Sequence, residues 1–306
     1  MSLLRMGTCH VSRVRTRRWR EPAAEHPRPA APLVELVFPA LNSAWAMEVM
    51  RGVVDSGLDV VLSSAVGRGT SWAAEVVRSR RAGVLLVTCS ISAAEARAFA
   101  RAGMPLVHID PVDAAAPDLP TPDLFSVGAT NQAGGAAAVR HLSALGHRRI
   151  GAVGGPRDVL CSRSRLDGCR VALDRAGIAF DPALVRHADF TREGGRREAR
   201  ELLRLPDRPT AVFAANDEQA LGVVEAARSA GLSVPGDLSV VGFDDLPAAR
   251  RSAPALTTVR QPLAAMGRRA GWMVADLIAG RPPATGRVEL ATELVVRSST
   301  GRPSRG

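Results

Sequence analysis

The 306-residue chain contains no lysine and no tyrosine. All 40 of its basic residues are arginine, and aromatic residues make up only 4%. Arginine alongside abundant alanine and glycine is the compositional bias of a GC-rich genome. The net charge of +10 is therefore weak support for a nucleic-acid partner. The four cysteines, Cys9, Cys89, Cys161 and Cys169, form no C-x-x-C pair, and no histidine stands at ligand spacing from them. That argues against a zinc site or a disulfide framework and leaves reduced thiols. No apolar run reaches membrane-spanning length, and residues 1–30 hold no apolar segment of a secretory signal. A cytoplasmic protein with no membrane partner is expected. G-x-S-x-G, G-x-G-x-x-G and P-loop patterns are missing, as is any paired acid/base or metal constellation. The chain is expected to be no enzyme and to need no cofactor.

What is present is alternation. From Leu33 onward short apolar runs alternate with helical patterns, as in a parallel sheet with crossover helices. Strands are expected over 33–38, 58–62, 83–87, 106–110, 125–128, 150–153, 184–188, 211–214, 238–241, 257–260 and 288–296. Helices are expected over 42–54, 70–80, 132–145, 162–176, 194–203, 216–230 and 263–279. Ser92 with Glu95 reads as a capping box opening a further helix, and Asn216 with Gln219 as another. The densest punctuation lies over 141–169. A helix closes at Gly146, a basic turn His147-Arg148-Arg149 follows, and a buried strand opens into Gly154-Gly155-Pro156. The next helix carries Arg163 and Arg165. In open α/β sheets ligands bind where loops leave the carboxyl ends of strands. This stretch puts arginines at such an edge.

The spacing Leu-Gly-His-Arg-Arg-Ile at 145–150, Gly-Gly at 154–155 and Ser-Arg-x-Arg-x-x-Gly at 162–168 resembles the lactose/galactose-repressor (LacI/GalR) family of bacterial transcription regulators. The resemblance continues in Ala214-Ala215-Asn216-Asp217, in VPGDLSVVGFDD at 234–245 and in LTTVRQP at 256–262. It implies an α/β fold of the periplasmic-binding-protein-like type I: two Rossmann-like lobes with parallel sheets, joined by a hinge crossed several times. It places 33–156 with 261–286 in an N-terminal lobe, the strand over 150–153 included. It places 157–260 with 287–300 in a C-terminal lobe and leaves 301–306 as a tail. It also implies a homodimer, with Met47, Met50, Trp72 and Val76 on first-lobe helices as contact candidates. Packing on the sheet accounts for the same residues.

Residues 1–32 depart from the family pattern. Residues 1–30 hold seven arginines against Glu21 and Glu25, and the segment ends in a Pro/Ala-rich linker-like stretch. Val11-Ser12-Arg13-Val14 resembles the opening of the family's recognition helix but runs into more arginine. A helix-turn-helix head with its hinge helix needs more chain than precedes Leu33, so a truncated or missing head is expected. Arg13, Arg15, Arg17 and Arg18 are candidates for salt-sensitive phosphate contacts. They serve equally as part of a solvated basic tail.

For a small polar effector, a sugar or a derivative, the resemblance singles out Arg165 and Asp244. A guanidinium fork suits vicinal hydroxyls, and a carboxylate accepts two of them. An internal salt bridge is the alternative for this pair. Phe190 and Trp45 match aromatic positions suited to the apolar face of a sugar, with lobe packing as the alternative. Asn216 reads as a helix cap or a ligand contact. Asn131, Ser162, Arg163 and Asp110 complete the candidates, while Asp245 and His147 read as structural. The implied function is an effector-binding regulator core that controls binding to a DNA operator. A stand-alone sugar-binding or dimerisation module without DNA binding is the alternative.

Overall fold

Leu33–Phe38, the most continuous apolar run near the start, is strand β1, and five of its six residues are buried. The computed structural model describes residues 32–41, 43–67, 69, 71–112 and 125–304. The strands that follow are β2 (Asp59–Ser64), β3 (Gly83–Val87), β4 (Leu106–Ile109), β5 (Phe125–Ala129) and β6 (Ile150–Gly154). Next come β7 (Val185–His187), β8 (Ala211–Ala214), β9 (Ser239–Asp244), β10 (Thr257–Arg260), β11 (Arg287–Leu290) and β12 (Glu293–Val295). The helices are α1 (Ala44–Val54), α2 (Trp72–Arg78), α3 (Ala93–Arg101), α4 (Asn131–Ala144) and α5 (Leu160–Arg175). They continue with α6 (Arg192–Leu203), α7 (Asp217–Ser229), α8 (Pro247–Arg251) and α9 (Leu263–Ile278).

The strands form two six-stranded sheets, ordered β11-β5-β4-β3-β1-β2 and β12-β10-β9-β8-β6-β7. Every pair is parallel except β10 with β12. Helices cover both faces of each sheet, which is why strands such as β3, GVLLV, are buried at every residue. The first sheet lies between α1/α9 and α2/α3, the second between α4/α5 and α6/α7. Each lobe is thus a doubly wound α/β unit. Among the described residues the chain passes between lobes three times: from β5 to α4, from β10 to α9, and from β11 to β12.

Two expectations about lobe membership are corrected here. The strand at 150–153, expected in the first lobe, is β6 and pairs with β7 and β8 of the second sheet. The single strand expected over 288–296 is two strands. β11 joins β5 in the first sheet and β12 joins β10 in the second, so 287–290 leaves the lobe expected for it. An apolar alternation records that a segment is extended, not which sheet receives it. The start of the expected tail is also anchored. His147 Nε2 lies 2.9 Å from the Gly301 carbonyl, and Ser299 Oγ donates to Val240 at 2.6 Å. A carbonyl only accepts, so His147 carries its proton on Nε2, and Nδ1 accepts from Thr210 Oγ1 at 2.9 Å. His147 is structural, as expected.

Local signals were obeyed unevenly. Ser43 caps α1 through the Ala46 N–H at 3.1 Å; Asn42, read with it as a cap, lies outside the described residues. Ser92 and Glu95 form the full capping box on α3. Asn216 caps α7 through the Gln219 N–H at 2.8 Å, but Gln219 is turned so that its Nε2 donates to the Gly154 carbonyl, and its Oε1 does not accept from the Asn216 N–H, so only half of that box exists. Trp72 and Val76, considered as partner contacts, are buried in their own lobe; Trp72 meets Phe99 edge to face at 5.4 Å. Met47 remains exposed.

Three helix pairs cross at glycines that face each other's backbones. A Cβ on Gly135 of α4 would lie 2.0 Å from the Arg165 carbonyl oxygen on α5, and one on Gly168 of α5 would lie 2.0 Å from that of Gln132. Gly52 and Gly267 do the same for α1 and α9, as do Gly195 and Gly222 for α6 and α7. No helix backbone can yield by that much without moving. Gly135→Ala should therefore part α4 from α5 and destabilise the protein by about 1–3 kcal/mol, in spite of alanine's better helix propensity. Thermal or urea denaturation checks this; an unchanged or raised midpoint would refute the close crossing.

Candidate functional site

The carboxyl ends of β1, β3 and β4 from one sheet and of β6 to β9 from the other open onto one cleft of about 770 Å³. Its lining includes Trp45 and Asp110 from the first lobe, and Arg165, Phe190, Asn216 and Asp244 from the second. Four lining residues, Thr88 (φ 46°), Asp110 (φ 50°), Phe190 (φ 63°) and Asp244 (φ 109°), hold a left-handed backbone without being glycine. Such strain persists where surrounding structure enforces it and collects at functional sites.

Arg165 is the floor of the cleft. It is 3% exposed. Nε donates to Asn131 Oδ1 at 2.8 Å, and Nη1 donates to the Ala215 carbonyl at 2.6 Å and stands 3.6 Å from Asp244 Oδ1. Its Cζ lies 3.9 Å from the centre of the Phe243 ring. Nη2 donates to none of the described residues, so it is the nitrogen left for a ligand oxygen. The internal salt bridge and the ligand-facing fork, posed above as alternatives, are compatible.

Asp244 ends β9 and is buried, with Oδ1 also accepting from Gln261 Nε2 at 2.6 Å. Burial pushes its carboxyl up to about 6, against the pull of Arg165 and Gln261. Asp110, which accepts from Asn131 Nδ2 at 3.2 Å, is likewise raised by burial, with Arg165 opposing. Behind them Asp217 is raised well above the ordinary range by burial and by Asp244; it accepts from the Leu246 N–H and the Thr258 hydroxyl. Sequence reading passed over Asp217, because nothing in Asn216-Asp217 marks which of the two faces inward. Asp245, beside them, is structural: it binds Arg250, Arg260 and Arg297.

Phe190 packs over the Gly154-Gly155 turn, where a Cβ on Gly155 would fall 2.1 Å from its ring. Asn216 holds the strained Phe190 peptide in place, donating from Nδ2 to its carbonyl at 2.9 Å. It caps α7, as one of its two sequence readings has it, and also lines the cleft. Asn131 does not line the cleft; it bridges Arg165 and Asp110 from beneath. Ser162 is fully buried, its Oγ without a hydrogen-bond partner among the described residues, and lies outside the lining. The reason is helical phase: Cys161 and Arg165, four apart, share the cleft face, and Ser162 is turned about 100° away. Arg163 is exposed and also outside it. Thr88, Asp189, Arg192 and Glu218 line the cleft without having been singled out. Arg13, Arg15, Arg17 and Arg18, and the truncated head expected there, lie outside the described residues.

Residues 139–300 match the model of the periplasmic binding protein-like domain. The HTH-type transcriptional regulator reg1 of Streptomyces lividans is 33% identical over 287 residues, 89% of this chain and 82% of reg1. The chain belongs to the LacI family of transcriptional regulators. The HTH-type transcriptional repressor CytR of Escherichia coli K12 is 40% identical over 163 residues, 53% of this chain and 48% of CytR. The chain thus spans about half the length of several curated relatives that it matches, such as CytR. Among solved LacI-family folds, the transcriptional regulator CelR–cellobiose complex superposes with a TM-score of 0.79 at 32% identity, covering 90% of this chain and 86% of that one. These LacI-family relatives are transcriptional regulators rather than enzymes. Among the described residues no helix is long and apolar enough to cross a membrane, and no group of three His, Cys, Asp or Glu is placed to hold a metal.

The raised carboxyl of Asp244 fixes the sign of a pH effect. A carboxyl whose pKa is higher in the folded protein contributes stability that is complete below the ordinary value of 3.8 and lost as pH rises through about 6. Asp244→Asn keeps the shape and removes the titration. Relative to wild type it should gain stability between about pH 4 and pH 7, by up to ~3 kcal/mol. Urea denaturation at both pH values measures this; parallel pH profiles would refute it.

Proposed function

We propose that the chain is the effector-sensing core of a LacI-type transcriptional regulator. A sugar or sugar derivative binds in the interlobe cleft and sets, through lobe closure, how the protein engages a DNA operator. The observation that supports this best is the convergence of Arg165 and Asp244 on one buried floor between Trp45 on one lobe and Phe190 on the other. Vicinal hydroxyls pair with a fork and a carboxylate, and aromatic walls take the apolar faces of a sugar ring. In this reading the lobes match 33–129 with 263–290 and 131–260 with 293–300, and the protein acts in the cytoplasm as a homodimer. Exposed Met47 and Val54 on α1 and Leu62 on the edge strand β2 supply apolar area for a partner copy. The basic segment with Arg13, Arg15, Arg17 and Arg18 supplies a salt-sensitive attraction to DNA.

Calorimetric titration of the full chain against a panel of mono- and disaccharides, cellobiose among them, tests the cleft. Phe190→Ala and Trp45→Ala should each weaken binding by about tenfold or more (~1.4 kcal/mol) with little change in melting temperature. Arg165→Ala is different. It strands buried carboxylates and should destabilise the fold itself by about 3–5 kcal/mol. A panel that never binds, or full affinity in both aromatic variants, would place the site elsewhere. Mobility shifts at low and at moderate salt test the DNA half. Sugar binding with no DNA association even at low salt would make the chain a stand-alone sensing or dimerisation module.

A further inference from the structure

The cleft has more acceptors than donors. Among the described residues its lining carries four carboxylates, Asp110, Asp189, Glu218 and Asp244, against two guanidinium groups, Arg165 and Arg192. Arg192 is already committed, to Glu218 at 3.0 Å and to Glu225 at 3.6 Å. Asp189 is satisfied by the Thr191 hydroxyl at 2.6 Å and its N–H at 3.3 Å. That leaves the floor, where among the described residues Asp110 and Asp244 share the positive charge of Arg165, while Asp217 behind them adds a carboxylate held by the Leu246 N–H and the Thr258 hydroxyl.

The hydrogen-bond inventory shows the same shortage independently. Oδ2 of Asp244 receives no donor from the described residues. Gln261, whose amide nitrogen holds Oδ1 of Asp244, leaves its own Oε1 buried without a partner among the described residues. Buried acceptors left unmatched are costly, and buried carboxylates in excess of cations resist ionisation. The raised carboxyls of Asp110 and Asp244 are the symptom. Two things relieve the shortage: a proton, or a ligand group that donates hydrogen bonds and carries positive charge. The surplus is specific to the cleft, since the chain as a whole carries +10. The aromatic rings of Trp45 and Phe190 in the same lining add faces that attract cations.

We infer that the effector is an amino sugar, whose ammonium group lies against Asp110 and Asp244 while its hydroxyls take Arg165. This rests on the sugar reading of the cleft and adds the charge of the ligand to it. A neutral sugar supplies donors but no positive charge, so the floor still needs its proton. A protonated amine supplies both and takes over the role of the proton held there. A cleft of about 770 Å³ accommodates a disaccharide-sized molecule.

A matched pair of ligands isolates the amine. Cellobiose and the β-1,4-linked glucosamine dimer share one skeleton and differ by two amines in place of two hydroxyls; the N,N′-diacetylated dimer is the uncharged control. Titrated at about pH 6, the full chain should bind the glucosamine dimer at least about tenfold more tightly than cellobiose, and acetylation should remove the preference. Asp110→Asn keeps the Asn131 contact sterically and should lose most of the preference for the glucosamine dimer over cellobiose. Cellobiose binding as tightly as the dimer overturns the amino-sugar inference and leaves the sugar reading standing. An undiminished preference in both Asp110→Asn and Asp244→Asn overturns it too. If the folded chain, checked by circular dichroism, binds none of the three, the inference falls and the sugar reading falls with it.

Discussion

One buried guanidinium ties together parts of the chain that are far apart in sequence. Arg165 touches Asn131 at the first interlobe crossing, Ala215 at the β8–α7 turn, Asp244 at the end of β9 and the Phe243 ring in the core between them. A buried cation is tolerable only when its nitrogens are matched, and these partners match two of the three. The reverse holds as well. Asp110 and Asp244 are tolerable where they are because Arg165 offsets part of the cost of burying them. The cleft floor is therefore a unit, in which the protonation of one carboxyl or the arrival of a ligand alters every other member.

That unit needs a backbone held to within a fraction of an ångström, and the glycine crossings supply it. The carbonyl that approaches Gly135 is that of Arg165 itself. The contact that lets α4 and α5 touch is thus the contact that sets the height of the arginine in the cleft. At the opposite wall Gly155 makes room for the Phe190 ring, while Asn216 holds the Phe190 peptide in a conformation it would not keep alone. The positive φ values at Thr88, Asp110, Phe190 and Asp244 fall at the carboxyl ends of strands, where the chain must turn sharply to leave the sheet. Stability of the lobes and geometry of the site are one problem here.

Much of this was legible in the residues. Strands β3 and β10 were bounded correctly from apolar runs and flanking turns, and the Ser92–Glu95 box behaves as its spacing says. Trp45, Phe190, Asn216, Arg165 and Asp244 do meet around one cleft. What failed did so for want of a third dimension. Ser162 stands outside the lining because α5 turns it about 100° from the face that Cys161 and Arg165 share, and sequence spacing does not say which face meets the cleft. β11 and β12 read as one strand because Ala291 and Thr292 carry no turn signal. The pairs Gly134-Gly135 and Gly194-Gly195 look like weak points in a helix until the facing backbone is known. Asp217 and the surplus of acceptors on the cleft floor become visible only when burial shows which carboxylates lack cations.

The three crossings give this arrangement its leverage. Each passes beside the site and carries a polar side chain engaged there or across the joint. Asn131 binds Arg165 and Asp110, Gln261 binds Asp244, and Thr292 binds Thr130 at 3.0 Å, tying the third crossing to the first. Rotating one lobe against the other moves these residues, because the strands and helices that carry them belong to different sheets. Bulky apolar packing at the crossings would have made the lobes rigid and independent of the cleft's charge. Hydrogen-bonded polar residues there join the crossings directly to the cleft floor.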